Sequence, residues 1–167
     1  MRRILLVFLI NLFAFNTNLK AQIPAKDSLT INPVCDSIVN YAKTFLGTKY
    51  KYGACSPEKG FDCSGFVYYV FKHFNMDVPR ASMDYEKMGK IIPIDSANVG
   101  DIVVFTGTNP KNRYPGHVGI VLSKPGENFT FIHSSSSEKK SGVKISSYAD
   151  SPGYKVRFIK IVRLALK

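Results

Sequence analysis

Cysteine is scarce in this sequence, and its placement argues against the common kinds of metal site. The chain of 167 residues has three cysteines and three histidines. No two of them stand at the Cys-x-x-Cys or His-x-x-x-His spacing of zinc ligands. An odd number of cysteines leaves at least one thiol free or paired with another molecule. We therefore expect no zinc or similar metal site, and at least one free thiol.

Acidic residues are also few, and the resulting positive charge indicates which classes of partner the protein can bind. The sequence holds 12 acidic residues against 23 lysines and arginines, which gives a net charge of +11. A basic exported protein is attracted to anionic polymers and surfaces. The basic residues are scattered, however, and no stretch interleaves them with aromatic residues as nucleic-acid-binding segments do. We expect no nucleic acid partner.

No apolar run is long enough for a stable membrane span, although the N-terminus comes nearest. Residues 4–15 are almost entirely apolar, but a span needs roughly 18 such residues. Arg2 and Arg3 precede this run, and the small residue Ala21 follows a short polar stretch. This pattern is typical of a secretory signal peptide, here residues 1–21, and predicts export with no membrane span after cleavage. A retained anchor is the alternative.

The rest of the chain fits a single domain. Residues 22–32 are polar and unpatterned, so we expect a short leader there and one domain over residues 33–167. A chain of this length can bury a core that is stable without disulfides. A disulfide between Cys35 and Cys55 stays open as an alternative, because export would place both in an oxidising compartment. We expect the mature protein in the periplasm or outside the cell.

Hydrophobic periodicity predicts helices in the first half of the domain and strands in the second. One helix begins at Pro33 and ends at Gly47, a second follows a predicted N-cap at Asp62, and a short one covers residues 82–88. Six candidate strands follow: residues 91–94, 101–106, 117–122, 128–134, 143–146 and 155–164. This order predicts an α+β domain with an antiparallel sheet.

The segment Asp62-Cys63-Ser64-Gly65 places a cysteine in the first turn of the second helix. A helix N-terminus carries partial positive charge and free N–H groups. These groups should stabilise the thiolate of Cys63 and an oxyanion formed when that thiolate attacks a carbonyl. Cys63 is therefore a candidate nucleophile, and a buried structural cysteine is the alternative.

Two histidines stand on candidate strands that follow one another. His117 begins one of them, and His133 lies near the end of the next. Neighbouring antiparallel strands could bring both imidazoles together, so that His117 acts as general base and His133 fixes its orientation and tautomer. His73, on the second helix beside Lys72, is expected at the surface. The pattern favours a cysteine hydrolase.

Several short motifs, in order along the chain, resemble those of the NlpC/P60 family of cell-wall cysteine peptidases. They are Tyr50-Lys51-Tyr52-Gly53, Gly60-Phe61-Asp62-Cys63-Ser64-Gly65-Phe66-Val67, Pro79-Arg80-Ala81-Ser82, Gly100-Asp101-Ile102-Val103-Val104-Phe105, His117-Val118-Gly119-Ile120 and Phe131-Ile132-His133. The resemblance implies a papain-like fold in which the cysteine helix packs on an antiparallel sheet that carries both histidines. It implies Cys63 as nucleophile, His117 as base and His133 as the orienting group.

The resemblance also implies a substrate and the residues that contact it. The substrate would be the peptide of peptidoglycan, cut between D-glutamate and the following diamino acid through an acyl-enzyme and without a cofactor. The implied substrate-binding residues are Tyr52, Asp62, Ser64, Arg80 and Ser82. For Arg80 a plain surface ion pair is the alternative.

Two departures and two other functions stay open. Ala54 replaces a glycine that is frequent in the family, and the connection 107–115 before the first strand histidine is long. An amidase or acyltransferase on a related fold would break a different bond, and an inactive wall-binding module would break none. No separate wall-binding domain is visible in the sequence, so we expect action on short released peptides or dependence on a targeting partner, which the sequence does not identify.

Overall fold

The fold is described by a computed structural model that covers residues 33–137 and 140–165. The predicted signal peptide, 1–21, and leader, 22–32, lie outside the described residues. The described residues form one unit. No helix among the described residues is both long and apolar enough to cross a membrane.

Three helices and eight strands follow one another along the described chain. The helices are α1 (Pro33–Lys43), α2 (Cys63–His73) and α3 (Pro152–Arg157). The strands are β1 (Cys55–Ser56), β2 (Gly60–Phe61), β3 (Lys90–Ile92), β4 (Ile102–Thr106), β5 (Pro115–Val121), β6 (Thr130–Ser135), β7 (Gly142–Ser147) and β8 (Phe158–Arg163). Two 3₁₀ helices, Ser82–Lys87 and Ile94–Ser96, lie on either side of β3.

Six of the strands form one antiparallel sheet in the order β3-β8-β4-β5-β6-β7, and β1 and β2 form a small hairpin beside α2. Alternate residues of the central strands enter different apolar clusters. Ile102 and Val104 pack with α1 and α2 on one face of the sheet, while Val103 and Phe105 pack on the other. Burial on both faces explains why β4 reads as a continuous apolar run. The predicted α+β fold with an antiparallel sheet is confirmed.

The main helix starts where its sequence predicts. Asp62 has an extended backbone, and its side chain accepts a hydrogen bond from the backbone N–H of Gly65, as an N-cap residue does. The apolar stripe of α2 then buries Phe66, Val67 and Val70 against the sheet. Burying such side chains stabilises the fold by roughly 1.5–3 kcal/mol each. The cap and the stripe together fix the position of the first turn.

Two predicted element boundaries are wrong. The predicted last strand, residues 155–164, begins only at Phe158, because α3 occupies the residues before it, with Pro152 at its start. Proline suits the first turn of a helix, since its missing N–H has no intrahelical partner there. The first helix ends at Lys43, and turns lead from it to Gly47, whose φ of 85° suits a residue without a side chain.

Candidate active site

The cysteine of the first turn of α2 lies beside the beginning of β5. Cys63 is 9% exposed, and its Sγ lies 3.9 Å from the backbone oxygen of Gly116. The strands β5 and β6 pair only at Ile120 with Ile132 and at Val121 with Phe131. The thiol therefore faces backbone groups of β5 beyond the point where its pairing with β6 stops. The contact with Gly116 therefore places the start of α2 beside the residue that precedes His117.

Burial has the largest effect on the pKa of this thiol. Burial raises the pKa of Cys63, and the Asp62 carboxylate raises it further, whereas the backbone N–H groups of Val118, Ser64 and Cys63 itself lower it. The predicted stabilisation of the thiolate by the helix N-terminus is present in the N–H groups of Ser64 and Cys63, but desolvation outweighs it, so the pKa of the thiol is raised overall. The resting thiol is protonated at neutral pH, so its activation needs a base.

The two strand histidines are in contact, as predicted. Nε2 of His117 lies 2.9 Å from Nδ1 of His133, and the two rings are perpendicular, with centroids 4.9 Å apart. Gly119 makes room for this contact, because a Cβ there would lie 3.1 Å from Cβ of His133 and 3.0 Å from the Phe131 ring. The contact uses one nitrogen of His117 and leaves its Nδ1 for another partner.

Both imidazoles are neutral. The pKa of His117 is lowered to about 3, first by burial and then by the positive charges of Arg157 and Lys144. The pKa of His133 is lowered well below its ordinary value, again chiefly by burial and then by His117, Lys144 and Arg157. A neutral imidazole carries one proton and one lone pair, so it can accept a proton from the thiol.

A serine that sequence reasoning missed continues the histidine pair. Oγ of Ser146, on β7, lies 2.9 Å from Nε2 of His133. In the strand register Ser146 stands opposite Phe131 and is two positions from Lys144, the register partner of His133. Serine has no distinctive motif on a strand, so nothing in the sequence singles it out.

The helix α3 adds two further residues that the sequence did not indicate. The Tyr154 ring lies over that of His117, with centroids 5.9 Å apart and planes inclined by 25°. The guanidinium of Arg157 lies 5.3 Å from the centroid of the Tyr154 ring and donates through Nη2 to the backbone oxygen of Thr106 at 2.9 Å. No carboxylate lies within 4.0 Å of Arg157 in the described part of the chain. An unpaired positive charge therefore stands near the histidines.

A cleft of about 290 Å³ opens at the thiol. Its lining residues are Tyr50, Tyr52, Gly53, Asp62, Cys63, Ser64, Arg80, Ala81, Ser82 and Gly116. All five predicted substrate-binding residues are among them, next to the predicted nucleophile. Tyr52 is 88% exposed at the cleft. Tyr50, the first residue of the quoted Tyr50-Lys51-Tyr52-Gly53 motif, was not among the predicted site residues; it is half-buried, and burial and then the negative charge of an ionised Cys63 raise its pKa.

One cluster of polar side chains forms part of the cleft wall. Arg80 donates to both carboxylate oxygens of Asp62, at 3.0 and 2.9 Å, and to Oγ of Ser64 at 3.2 Å. Asp62 also accepts from the backbone N–H of Gly53 at 2.9 Å. The predicted alternative of an ion pair for Arg80 is thus realised, but the pair lines the cleft. Its hydrogen bonds hold the loop before α2, the helix start and the segment after the helix together.

The remaining cysteines lie in separate surroundings. Cys35, Cys55 and Cys63 are all free thiols. Cys35 packs against Gly100, whereas Cys55 packs against Gly65 and lies beside Arg80. The structure therefore does not form the Cys35–Cys55 disulfide that was left open. Within residues 33–137 and 140–165, no group of three or more potential protein ligands could hold a metal ion.

Comparisons with known proteins agree with this architecture. The sequence profile of the NlpC/P60 family matches residues 47–163. The chain is 31% identical over 164 residues to gamma-DL-glutamyl hydrolase of Bacillus subtilis (strain 168), covering 98% of this chain and 37% of that protein. It is 36% identical over 122 residues to murein DD-endopeptidase MepS/murein LD-carboxypeptidase of Escherichia coli (strain K12), covering 72% and 58%.

A solved structure shows the same likeness. The crystal structure of an NlpC/P60 family protein from Bacillus cereus ATCC 10987 superposes with a TM-score of 0.65 at 28% identity, over 77% of this chain and 39% of that one. The chain thus spans 37–58% of the length of these relatives. The residues that the family profile matches, 47–163, contain the cysteine helix and the six-stranded sheet.

Proposed function

Because the chain belongs to the NlpC/P60 family, we propose that it is an exported cysteine endopeptidase that hydrolyses the stem peptides of peptidoglycan. The bond is the one between D-glutamate and the following diamino acid; the name of the B. subtilis relative specifies a gamma-glutamyl bond, which is compatible with this choice. The observation that carries the proposal is the 2.9 Å contact between His117 and His133, together with the position of the Cys63 thiol 3.9 Å from the backbone oxygen of Gly116, the residue before His117. Cys63 is the nucleophile, His117 the general base and His133 the orienting group.

The geometry supports a defined path for the proton. Nε2 of His117 is engaged with His133, so Nδ1 takes the proton of the Cys63 thiol. The thiolate attacks the carbonyl carbon, and the N–H groups at the start of α2 donate to the oxyanion. The tetrahedral intermediate then collapses, and the amine leaves with the proton from His117. Water, deprotonated by the same imidazole, hydrolyses the thioester and restores the thiol.

The cleft residues divide into two groups by what their polar atoms already contact. Asp62 and Arg80 are bound to each other and to the surrounding backbone, so in the proposal they shape the cleft and place its charges. Ser64 shares the Arg80 contact. Tyr52, which is exposed, and Ser82, at the start of the 3₁₀ helix, offer hydroxyl groups to the peptide.

The test is mass spectrometry of the products formed from purified muropeptides. The mature protein should give new ends between D-glutamate and the diamino acid across mildly acidic to neutral pH, and Cys63→Ala should give none. Cys55→Ala is the matched control, because it removes a second thiol near the cleft and should leave cleavage intact. Cleavage at another bond, such as the D,D bond in the name of the E. coli relative, would reassign the specificity. Intact muropeptides with the active-site thiol still reactive would contradict the proposed function.

Export is a separate part of the proposal and has its own test. It is supported by the sequence of residues 1–21, with two arginines, a short apolar run and Ala21. Expression of the full chain in a bacterial host, followed by fractionation and N-terminal sequencing, should find protein beginning at Gln22 outside the cytoplasm. Uncleaved protein retained in the membrane fraction would instead support an anchor.

A further inference from the structure

Three polar side chains on three successive strands form a continuous chain of contacts that ends near the thiol. Oγ of Ser146 on β7 lies 2.9 Å from Nε2 of His133 on β6. Nδ1 of His133 lies 2.9 Å from Nε2 of His117 on β5. His133 is fully buried, so bulk water does not reach the imidazole freely. The hydrogen bonds between Ser146, His133 and His117 must therefore be made by the protons of these three side chains.

Counting protons leaves two arrangements. Each neutral imidazole carries one N–H, and the contact between the two rings needs one donor and one acceptor. In the first arrangement, His117 donates from Nε2 to Nδ1 of His133, and His133 donates from its own Nε2 to Ser146. In the second arrangement, Ser146 donates to Nε2 of His133, and His133 donates from Nδ1 to Nε2 of His117. The two arrangements differ in every hydrogen bond of the chain.

Only the first arrangement gives a working base. When His117 carries its proton on Nε2, the lone pair on its Nδ1 is free to accept the proton of the thiol. In the second arrangement Nδ1 of His117 carries the proton itself and can only donate. A wrong imidazole tautomer in a catalytic triad lowers activity strongly even when the geometry is intact.

We propose that Ser146 is a positioning residue whose oxygen accepts a hydrogen bond from Nε2 of His133 and thereby fixes the proton positions on both imidazoles. The inference rests on the proposed function for the role of His117 as base. A hydroxyl oxygen can accept while its own hydrogen turns elsewhere, and Ser146 is half-exposed, so its O–H can turn to solvent. The neighbouring Lys144 cannot replace it, because an ammonium group has no lone pair.

The direct test is ¹⁵N NMR of the protein with labelled histidine, which distinguishes a protonated imidazole nitrogen from one with a free lone pair. The wild type should show the proton on Nε2 of both His117 and His133, whereas Ser146→Ala should show a mixture of tautomers. His73, exposed on α2, is an internal reference and can be removed by His73→Gln. A wild-type spectrum with the proton on Nδ1 of His117 would overturn the proposal.

Thiol reactivity provides a second readout. The rate of Cys63 alkylation by iodoacetamide at neutral pH should fall about tenfold in Ser146→Ala, the effect of one lost hydrogen bond, and Ser146→Thr should restore it. Ser147→Ala is the matched control, because this neighbouring hydroxyl accepts from Asn128 and from the backbone of Asp150 instead. Unchanged spectra and rates in Ser146→Ala would also overturn the proposal. Neither readout uses peptidoglycan, so a protein that leaves muropeptides uncut still tests the role of Ser146.

Discussion

Arg80 and Asp62 form a bidentate salt bridge, with Nη1 of the guanidinium 3.0 Å from Oδ1 of the carboxylate and Nη2 2.9 Å from Oδ2. The same carboxylate caps α2 through the N–H of Gly65, at 2.6 Å from Oδ1, and holds the N–H of Gly53, at 2.9 Å from Oδ2. A two-point pairing of this kind fixes orientation as well as distance. Asp62, the residue before the proposed nucleophile, thus links three segments of the cleft.

We expect Asp62→Ala to destabilise the protein by about 1–2 kcal/mol, because loss of an N-cap alone costs about that much and Arg80 loses its partner as well. Urea unfolding followed by circular dichroism would measure the change. Asp77→Ala is the control, since Asp77 forms a long, exposed pair with Lys72 at 3.9 Å and such pairs contribute less than about 1 kcal/mol. Equal losses in both variants would contradict the structural role of Asp62.

We expect Arg157→Gln to move the reactivity of the thiol to higher pH. The positive charge of Arg157 adds to the effect of burial in lowering the pKa of His117. Burial lowers the pKa of Arg157, and attraction to the Cys63 thiolate opposes that shift, so the same attraction must favour the thiolate. Removing that charge therefore raises the pKa of both groups. The profile of Cys63 alkylation against pH should shift upward by about half a unit. Lys155→Gln, an equal charge change on the exposed side of α3, should leave the profile in place.

Stability should fall in acid because both site histidines are buried and neutral. The pKa of His117 is about 3 in the folded protein and near 6.5 in the unfolded chain. Below about pH 6.5 the unfolded chain therefore binds more protons than the folded one. The stabilisation is complete above about pH 6.5 and is lost as the pH falls toward 3, by up to about 1.4 kcal/mol per pH unit for each histidine. Urea titrations between pH 7 and 4 should show this slope, and His117→Asn should flatten it. A slope unchanged by that substitution would assign the loss to other groups.

A buried tyrosine offers a stabilising substitution. Tyr85 is fully buried, and within the described residues its hydroxyl has no hydrogen-bond partner. An unsatisfied buried hydroxyl costs about 1–3 kcal/mol, so Tyr85→Phe should raise the free energy of unfolding by about 1 kcal/mol. Tyr41→Phe is the comparison, because Tyr41 is only partly buried, so the loss of its hydroxyl should not stabilise. A lower midpoint for Tyr85→Phe would reveal a partner for that hydroxyl.

Local signals in the sequence were sufficient for the parts of the site that depend on local structure. Asp62 followed by an apolar helical stripe predicted where α2 begins, and this placed Cys63 in its first turn. Alternation along β5 and β6 predicted that His117 and His133 project to the same side, and the two rings are in contact. These features follow from the periods of helices and strands alone.

Other features depend on tertiary register, which the sequence does not encode locally. Ser146 reaches His133 only because β7 pairs with β6 in one particular register. The alternating residues from Lys155 onward predict a strand, whereas the structure places Lys155 and Arg157 in α3. The sequence therefore indicates neither α3 nor the position of Arg157. The raised pKa of the Cys63 thiol could not be foreseen either, because desolvation depends on how completely the finished fold covers the sulfur.

The thiol and Gly116 on the strand beside it are 53 positions apart in the chain, and the candidate site takes Cys63 from α2, His117 from β5, His133 from β6 and Ser146 from β7. Contacts between such distant segments form late, because closing long loops costs chain entropy before any contact compensates for it. No fragment that lacks β7 could contain the whole arrangement. The appearance of thiol reactivity during refolding should therefore coincide with completion of the sheet. The reactivity of Cys63 thus reports on the last step of folding.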